Sequence, residues 1–123
     1  MNQIVLLVAA GITGLWGIAH LFATRGAVAD FGDMSVDHRR IITVEWIAEG
    51  VALISTAAFV AVAAAIDPLS SVSSAVFAVA IGTLVTLASV SVFTGFRVPF
   101  LPYRLCPFIF GLSAALIAWG AWL

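Results

Sequence analysis

The stretch Ile41–Ile66, IITVEWIAEGVALISTAAFVAVAAAI, decides the fold of this chain. It is longer than the roughly 20 residues that cross the hydrocarbon core of a bilayer as an α-helix. Only Glu45 and Glu49 are charged within it. The sequence therefore predicts a membrane-spanning helix that carries two carboxylates.

Three further apolar stretches have a similar length, at Ile4–Ala23, Val72–Phe93 and Leu105–Leu123. The 123 residues are 63% hydrophobic and 9% charged, whereas a soluble domain carries about 25% charged residues. Four spans with short connections use the whole length, which predicts an all-α, integral membrane four-helix bundle with residues 1–123 as one domain. The net charge of −1 and the lack of lysine argue against nucleic acid as a partner.

The positive charges indicate an orientation. All five arginines fall in the first and third connections, Thr24–Arg40 and Gly95–Arg104. Because cytoplasmic loops of membrane proteins collect arginine and lysine, both connections are expected in the cytoplasm and both termini on the outer side. We expect a multi-pass protein of a bacterial inner membrane, with the lipid bilayer as its first partner.

Glu45 and Glu49 are the first candidates for chemistry. An ionised carboxylate inside a span is costly, so it needs a partner, water or a proton. The i, i+4 spacing places both on one helix face, which we expect to point into the bundle. His20 lies near the end of the first span and Glu45 near the start of the second, so the two fall at similar depth, with Glu49 about 6 Å deeper.

These residues predict one polar cluster at the cytoplasmic end, with Glu49, Glu45 and His20 as candidate catalytic residues. Trp46 and Trp16 are expected as its walls, and Cys106 opens the fourth span at the same end, with Pro107 in that helix's first turn. Candidate ligand-binding residues around the cluster are Trp46, Trp16, Arg40, Arg97 and Arg104.

Three chemical interpretations remain open. Two carboxylates and a histidine in a pocket of low dielectric suit acid–base chemistry on a small lipophilic molecule such as an isoprenoid, a sterol-like compound or a quinone. The same glutamates suit a small proton-coupled transporter. His20, Glu45, Glu49 and Cys106 are weak candidates for a divalent metal.

Structural interpretations compete with these. In the first, Glu45 pairs with Arg39 or Arg40 at the start of a helix. In the second, Tyr103 is an anchor at the membrane interface. Small residues at four-residue spacing, such as Thr13 and Gly17, indicate close packing of helices. The chain is then an accessory subunit of a larger membrane complex, or a homo-oligomer, without chemistry of its own.

The residues His20, Arg39-Arg40-Ile41, Glu45-Trp46-x-x-Glu49-Gly50 and Leu105-Cys106-Pro107 resemble those of small four-span bacterial membrane proteins. That resemblance covers most of the chain and implies the fold alone. In topology, with His, Glu and Trp lining one pocket, the chain is loosely similar to DoxX-like and sterol-isomerase-like membrane proteins, which implies a lipophilic ligand. It matches small multidrug-resistance transporters in size, but its first span lacks their key glutamate.

Overall fold

Four long helices make up nearly the whole chain in the computed structural model, which describes all of residues 1–123. They are α1 (Gln3–Asp30), α2 (Val36–Ile66), α3 (Ser71–Phe93) and α4 (Leu101–Trp122), with a 3-10 turn at Gly95–Arg97. Each is long and apolar enough to cross a membrane. The predicted all-α fold with four candidate spans is confirmed.

Short polar side chains set where the helices begin. Asn2, Ser35 and Ser70 each accept a hydrogen bond from the backbone N–H three residues further on, over 3.1 to 3.2 Å. These bonds satisfy amide groups that a helix leaves unpaired in its first turn. α1 ends before Gly32, whose φ of +76° lies in the left-handed region that favours glycine.

The helices are longer than the apolar stretches that predicted them. α1 continues past Ala23 to Asp30 and α2 begins at Val36, so the expected loop Thr24–Arg40 shrinks to residues 31–35. Hydropathy marks only the part of a helix within hydrocarbon, whereas the backbone hydrogen bonds continue into the headgroup layer. At 1.5 Å per residue α2 is about 46 Å long, against about 30 Å of hydrocarbon.

The start of α4 also differs from the expectation. The helix begins at Leu101, and Pro102 takes the first-turn position that suits proline. Pro107 lies inside the helix, where it has no N–H to donate to the carbonyl of Tyr103. The prediction that Pro107 lies in the first turn of this helix was therefore wrong.

Neighbouring helices run antiparallel around the bundle in the order of the chain. The Asn2 amide donates to the Gly120 carbonyl over 2.7 Å, and the Gln3 side chain donates to the Ala64 carbonyl over 2.8 Å. Both termini therefore lie at the same end of the bundle as the α2–α3 connection. α1 and α2 share the most extensive contact, and α2 and α3 the least.

The contact between α1 and α2 is closest at two glycines. A Cβ on Gly17 would lie 2.8 Å from the Gly50 carbonyl oxygen and 3.0 Å from the Ile54 amide nitrogen. A Cβ on Gly50 would lie 3.0 Å from the Gly17 carbonyl oxygen. Gly17 is one of the small residues expected at a packing face, and such residues allow helix backbones to approach in a membrane.

Apolar side chains fill the centre of the bundle and also cover its outside. The largest buried ones come from all four helices and include Leu6, Leu53, Phe77, Leu84, Phe110 and Ile117. Phe22, Phe93 and Phe108 are among the many large apolar side chains that point outward. So wide an apolar exterior suits acyl chains as the surrounding solvent.

We expect Gly17→Ala to lower the free energy of unfolding by about 1–3 kcal/mol, because its methyl group meets backbone atoms of α2 that have no free rotation. The measurement is unfolding of the purified chain in mild detergent, followed by the circular dichroism of its helices.

Gly11→Ala is the matched control on the same helix, since no heavy atom lies within 4 Å of its added Cβ. Its stability should be unchanged or slightly raised. Equal effects of the two substitutions would contradict the close crossing at Gly17.

Candidate functional site

The glycine crossing brings His20 and Glu49 together. His20 follows Gly17 by one turn of α1, and Glu49 directly precedes Gly50 on α2. His20 Nε2 lies 3.6 Å from Glu49 Oε2. The imidazole is buried, with 5% of its side chain exposed, whereas the carboxylate side chain is 37% exposed. The histidine is thus shielded behind a glutamate that outside molecules can reach.

The orientation of the His20 ring follows from its other nitrogen. Nδ1 lies 3.3 Å from the Trp16 carbonyl oxygen, which can only accept a hydrogen bond. We therefore assign the hydrogen to Nδ1, which leaves Nε2 facing Glu49.

Aromatic rings surround the histidine. Trp46 stacks on His20 with ring centroids 5.0 Å apart, and Trp16 meets it edge-on at 6.0 Å. The Trp46 indole N–H donates to the Tyr103 hydroxyl over 3.1 Å. The tyrosine oxygen is the acceptor there, and its own O–H remains able to donate elsewhere.

A groove opens beside the pair, between α2 and α3, where the bundle packs least closely. Its volume is about 530 Å³. Glu49, Trp46 and Tyr103 line it together with Glu45 and five apolar or aromatic neighbours, namely Phe31, Ile42, Ala48, Ala52 and Leu87. Most of its wall is therefore apolar, with polar atoms on one side.

The depth of the pair follows from helix rise. His20 lies about 26 Å along α1 from Gln3, and Glu49 about 26 Å along α2 from Ile66. The hydrocarbon core is about 30 Å thick. With Gln3 and Ile66 at one edge of the hydrocarbon, both residues would fall just inside the opposite edge, at the end of the bundle that carries the arginines.

Glu45 is placed differently from Glu49. It is exposed at the edge of the groove and forms no ion pair. The expected pairing with Arg39 or Arg40 is absent, because Arg40 contacts Asp37 at 3.7 Å instead. Glu49 and Glu45 are thus one helical turn apart on α2, with Glu49 beside His20 and Glu45 at the edge of the groove.

The arginines expected around the cluster do not reach the groove. Arg40, Arg97 and Arg104 are all exposed, and none of them lines it. Arg104 instead lies over the Phe96 ring, 5.6 Å from its centroid. Because α2 extends beyond the hydrocarbon, Arg40 stands well outside the level of Glu49.

Cys106 is buried in α4 and does not complete a metal site. No group of three His, Cys, Asp or Glu side chains in the chain is arranged to hold a metal ion. His20 and Glu49 meet, but the four weak metal candidates do not form one group. The Trp16 indole N–H is buried without a hydrogen-bond partner.

Tyr103 is the site residue that sequence reasoning missed. It was interpreted as an interfacial anchor because it lies in a connection rich in proline and aromatic residues. The start of α4 at Leu101 places it on a helix, three residues before the buried Cys106 and seven before the buried Phe110. That spacing on one helix face was the available signal.

No family model, curated protein or solved structure matches this chain.

The ion pair should show as a coupling energy. In a double-mutant cycle, His20→Ala and Glu49→Ala should couple by roughly 0.6–1.7 kcal/mol, the range expected for polar contacts between helices in a membrane. The cycle is measured by unfolding in bicelles at a pH near 6.

The control cycle combines His20→Ala with Glu45→Ala, which removes the same type of side chain one turn away. Its coupling should be near zero, since Glu45 makes no ion pair. Equal coupling in both cycles would show that His20 senses charge in general and has no specific partner.

Proposed function

We propose that this chain is a membrane protein that binds a small lipophilic molecule in the groove between α2 and α3 and exchanges a proton with it through Glu49. The observation that carries the proposal is the His20–Glu49 pair, 3.6 Å apart, whose glutamate lines a groove of about 530 Å³. Binding sites for small molecules commonly have about 300–1,000 Å³ and mostly apolar walls with a few polar groups.

The difference in exposure between the two residues divides their roles. Glu49 is accessible from the groove and would contact the ligand, whereas His20 is buried and would act through Glu49. A proton given by Glu49 to a ligand oxygen would be replaced from the His20 imidazolium. His20 is then a positioning and proton-storing residue, and Glu49 is the group that touches the ligand.

Tyr103 and Trp46 complete the polar side of the groove. The Tyr103 hydroxyl is held by the Trp46 indole N–H over 3.1 Å, so its own proton is available to a ligand oxygen. Trp46 offers a flat wall for an apolar ring or chain. A carboxylate and a phenol at one level favour a ligand with a carbonyl or hydroxyl head, such as a quinone, an isoprenoid alcohol or a sterol-like compound.

The depth of the site supports a ligand that arrives through the bilayer. The groove opens on the seam between α2 and α3, which faces outward from the bundle. An amphiphile in the membrane places its polar head near the edge of the hydrocarbon, where helix rise also places Glu49. Head and carboxylate therefore meet without the ligand crossing water.

The proposal includes an orientation. With both arginine-bearing connections in the cytoplasm, the site lies at the cytoplasmic face of a bacterial inner membrane and both termini lie outside. The arginine distribution supports this, since the second connection and the chain ends contain none.

Ligand binding is tested with decylubiquinone, which quenches tryptophan fluorescence. Trp119→Phe and Trp122→Phe together leave only Trp16 and Trp46 as emitters, both beside the site. In nanodiscs the quenching should saturate, and farnesol or a sterol should relieve it if either shares the groove. Glu49→Gln should weaken the apparent affinity about tenfold, as expected for the loss of a charge-assisted contact.

Asp33→Asn is the matched control, because it also changes a carboxylate to an amide but on an exposed residue outside the groove. Binding should survive it. Two outcomes would overturn the proposal. One is quenching that rises linearly with quinone content and that no competitor relieves. The other is an equal loss of quinone binding in Glu49→Gln and Asp33→Asn.

The orientation is tested separately by fusing alkaline phosphatase, active only outside the cytoplasm, to the C-terminus. A fusion to the Phe31–Ser35 connection serves as the opposite case. We expect activity from the first fusion and none from the second. The reverse pattern would invert the topology and leave the ligand proposal standing.

A further inference from the structure

A second cavity, on the far side of α2 from the groove, is built differently. It has a volume of about 590 Å³ and lies between α1 and α2 near the arginine-bearing end. Its lining is Leu21, Thr24, Arg25, Val28, Ala29, Arg39, Thr43 and Ile47. One arginine comes from each helix, and no acidic residue is among them.

Both arginines are without a charged partner. The ion pairs of the chain are His20 with Glu49 and Arg40 with Asp37, and neither includes Arg25 or Arg39. The hydroxyls of Thr24 and Thr43 donate to carbonyls of their own helices, so they do not neutralise the guanidinium groups. Two unpaired guanidinium groups that border one cavity favour a shared anion.

The cavity also crosses from polar to apolar surroundings. With Gln3 and Ile66 at the far edge of the hydrocarbon, Arg25 lies about 33 Å and Arg39 about 40 Å along their helices. Both are beyond about 30 Å of hydrocarbon and so at headgroup level. Leu21 and Ile47 lie at about 27 and 29 Å, within the acyl region.

We propose that this cavity binds one anionic phospholipid, with Arg25 and Arg39 on its phosphate and an acyl chain against the apolar residues below. Charge and depth together favour this occupant, since a basic pocket between helices at the headgroup level matches the chemistry of an anionic lipid head. A lipid here would join the extended ends of α1 and α2, which no ion pair links beyond His20 and Glu49. The proposal does not depend on the ligand of the groove.

The test titrates the delipidated full-length chain in mild detergent with dioleoylphosphatidylglycerol and counts bound lipids by native mass spectrometry. We expect one tightly retained lipid per chain and weaker retention of dioleoylphosphatidylcholine. Arg25→Gln and Arg39→Gln each remove one charge contact to the lipid head. Each should therefore weaken retention roughly fivefold, and the double variant should weaken it roughly 30-fold.

The matched control is the double variant Arg40→Gln with Arg97→Gln, which removes the same charge from exposed positions outside the cavity. Retention should stay unchanged there, and the two single variants keep the test valid if a double variant does not fold. Equal losses in both double variants, or equal retention of the two lipids, would overturn the proposal. Displacement of the lipid by millimolar inorganic phosphate would instead indicate a simple anion site and also overturn it.

Discussion

The backbone contact between Gly17 and Gly50 is the constraint on which the site depends. There the two helices approach so closely that a Cβ on either glycine would meet carbonyl oxygen of the other within 3.0 Å. Within a membrane there is no hydrophobic drive between helices, so such close van der Waals contact holds them together. The same contact fixes the level of α1 against α2. His20 lies one turn from Gly17 and Glu49 lies one residue from Gly50, so the two side chains meet.

Uneven packing around the bundle creates the groove. α1 packs extensively on α2, whereas α2 and α3 are joined by the short Asp67–Ser70 connection and then make the fewest contacts. The hydroxyls of Ser70 and Ser73 both donate to the Asp67 carbonyl and hold that connection together. In water an open apolar seam would collapse or aggregate, but acyl chains fill it at little cost in a bilayer. The membrane thus allows an open seam beside a polar pair.

Two cavities at the arginine end share α2 as a wall and offer contrasting chemistry. The groove between α2 and α3 presents two carboxylates and a phenol, and the cavity between α1 and α2 presents two arginines without a charged partner. Glu49 and Arg39 lie on different sides of α2, about 15 Å apart along it by helix rise, so each cavity receives one kind of charge.

Much of the fold could be predicted from the sequence, because apolar stretches of spanning length require helices that satisfy their own backbone hydrogen bonds in lipid. Helix rise also predicted a polar cluster near one end of the bundle, but it set His20 level with Glu45 and Glu49 about 6 Å deeper. In the structure it is Glu49 that meets His20. Helix ends were harder to place. Asp30 and Val36 lie where hydropathy has already fallen, and the backbone there is helical because its hydrogen bonds do not need an apolar surrounding.

By itself the sequence determined the number of spans, their antiparallel order and the presence of protonatable residues near one end, because each depends on local composition and chain length. The tertiary structure decided which of those residues meet. Glu49 faces His20 while Glu45 lies exposed, and Tyr103 joins the site while Arg40, Arg97 and Arg104 stay outside it. The reason is that rotation of one helix against another is set by which small residues touch, and no single helix contains that information.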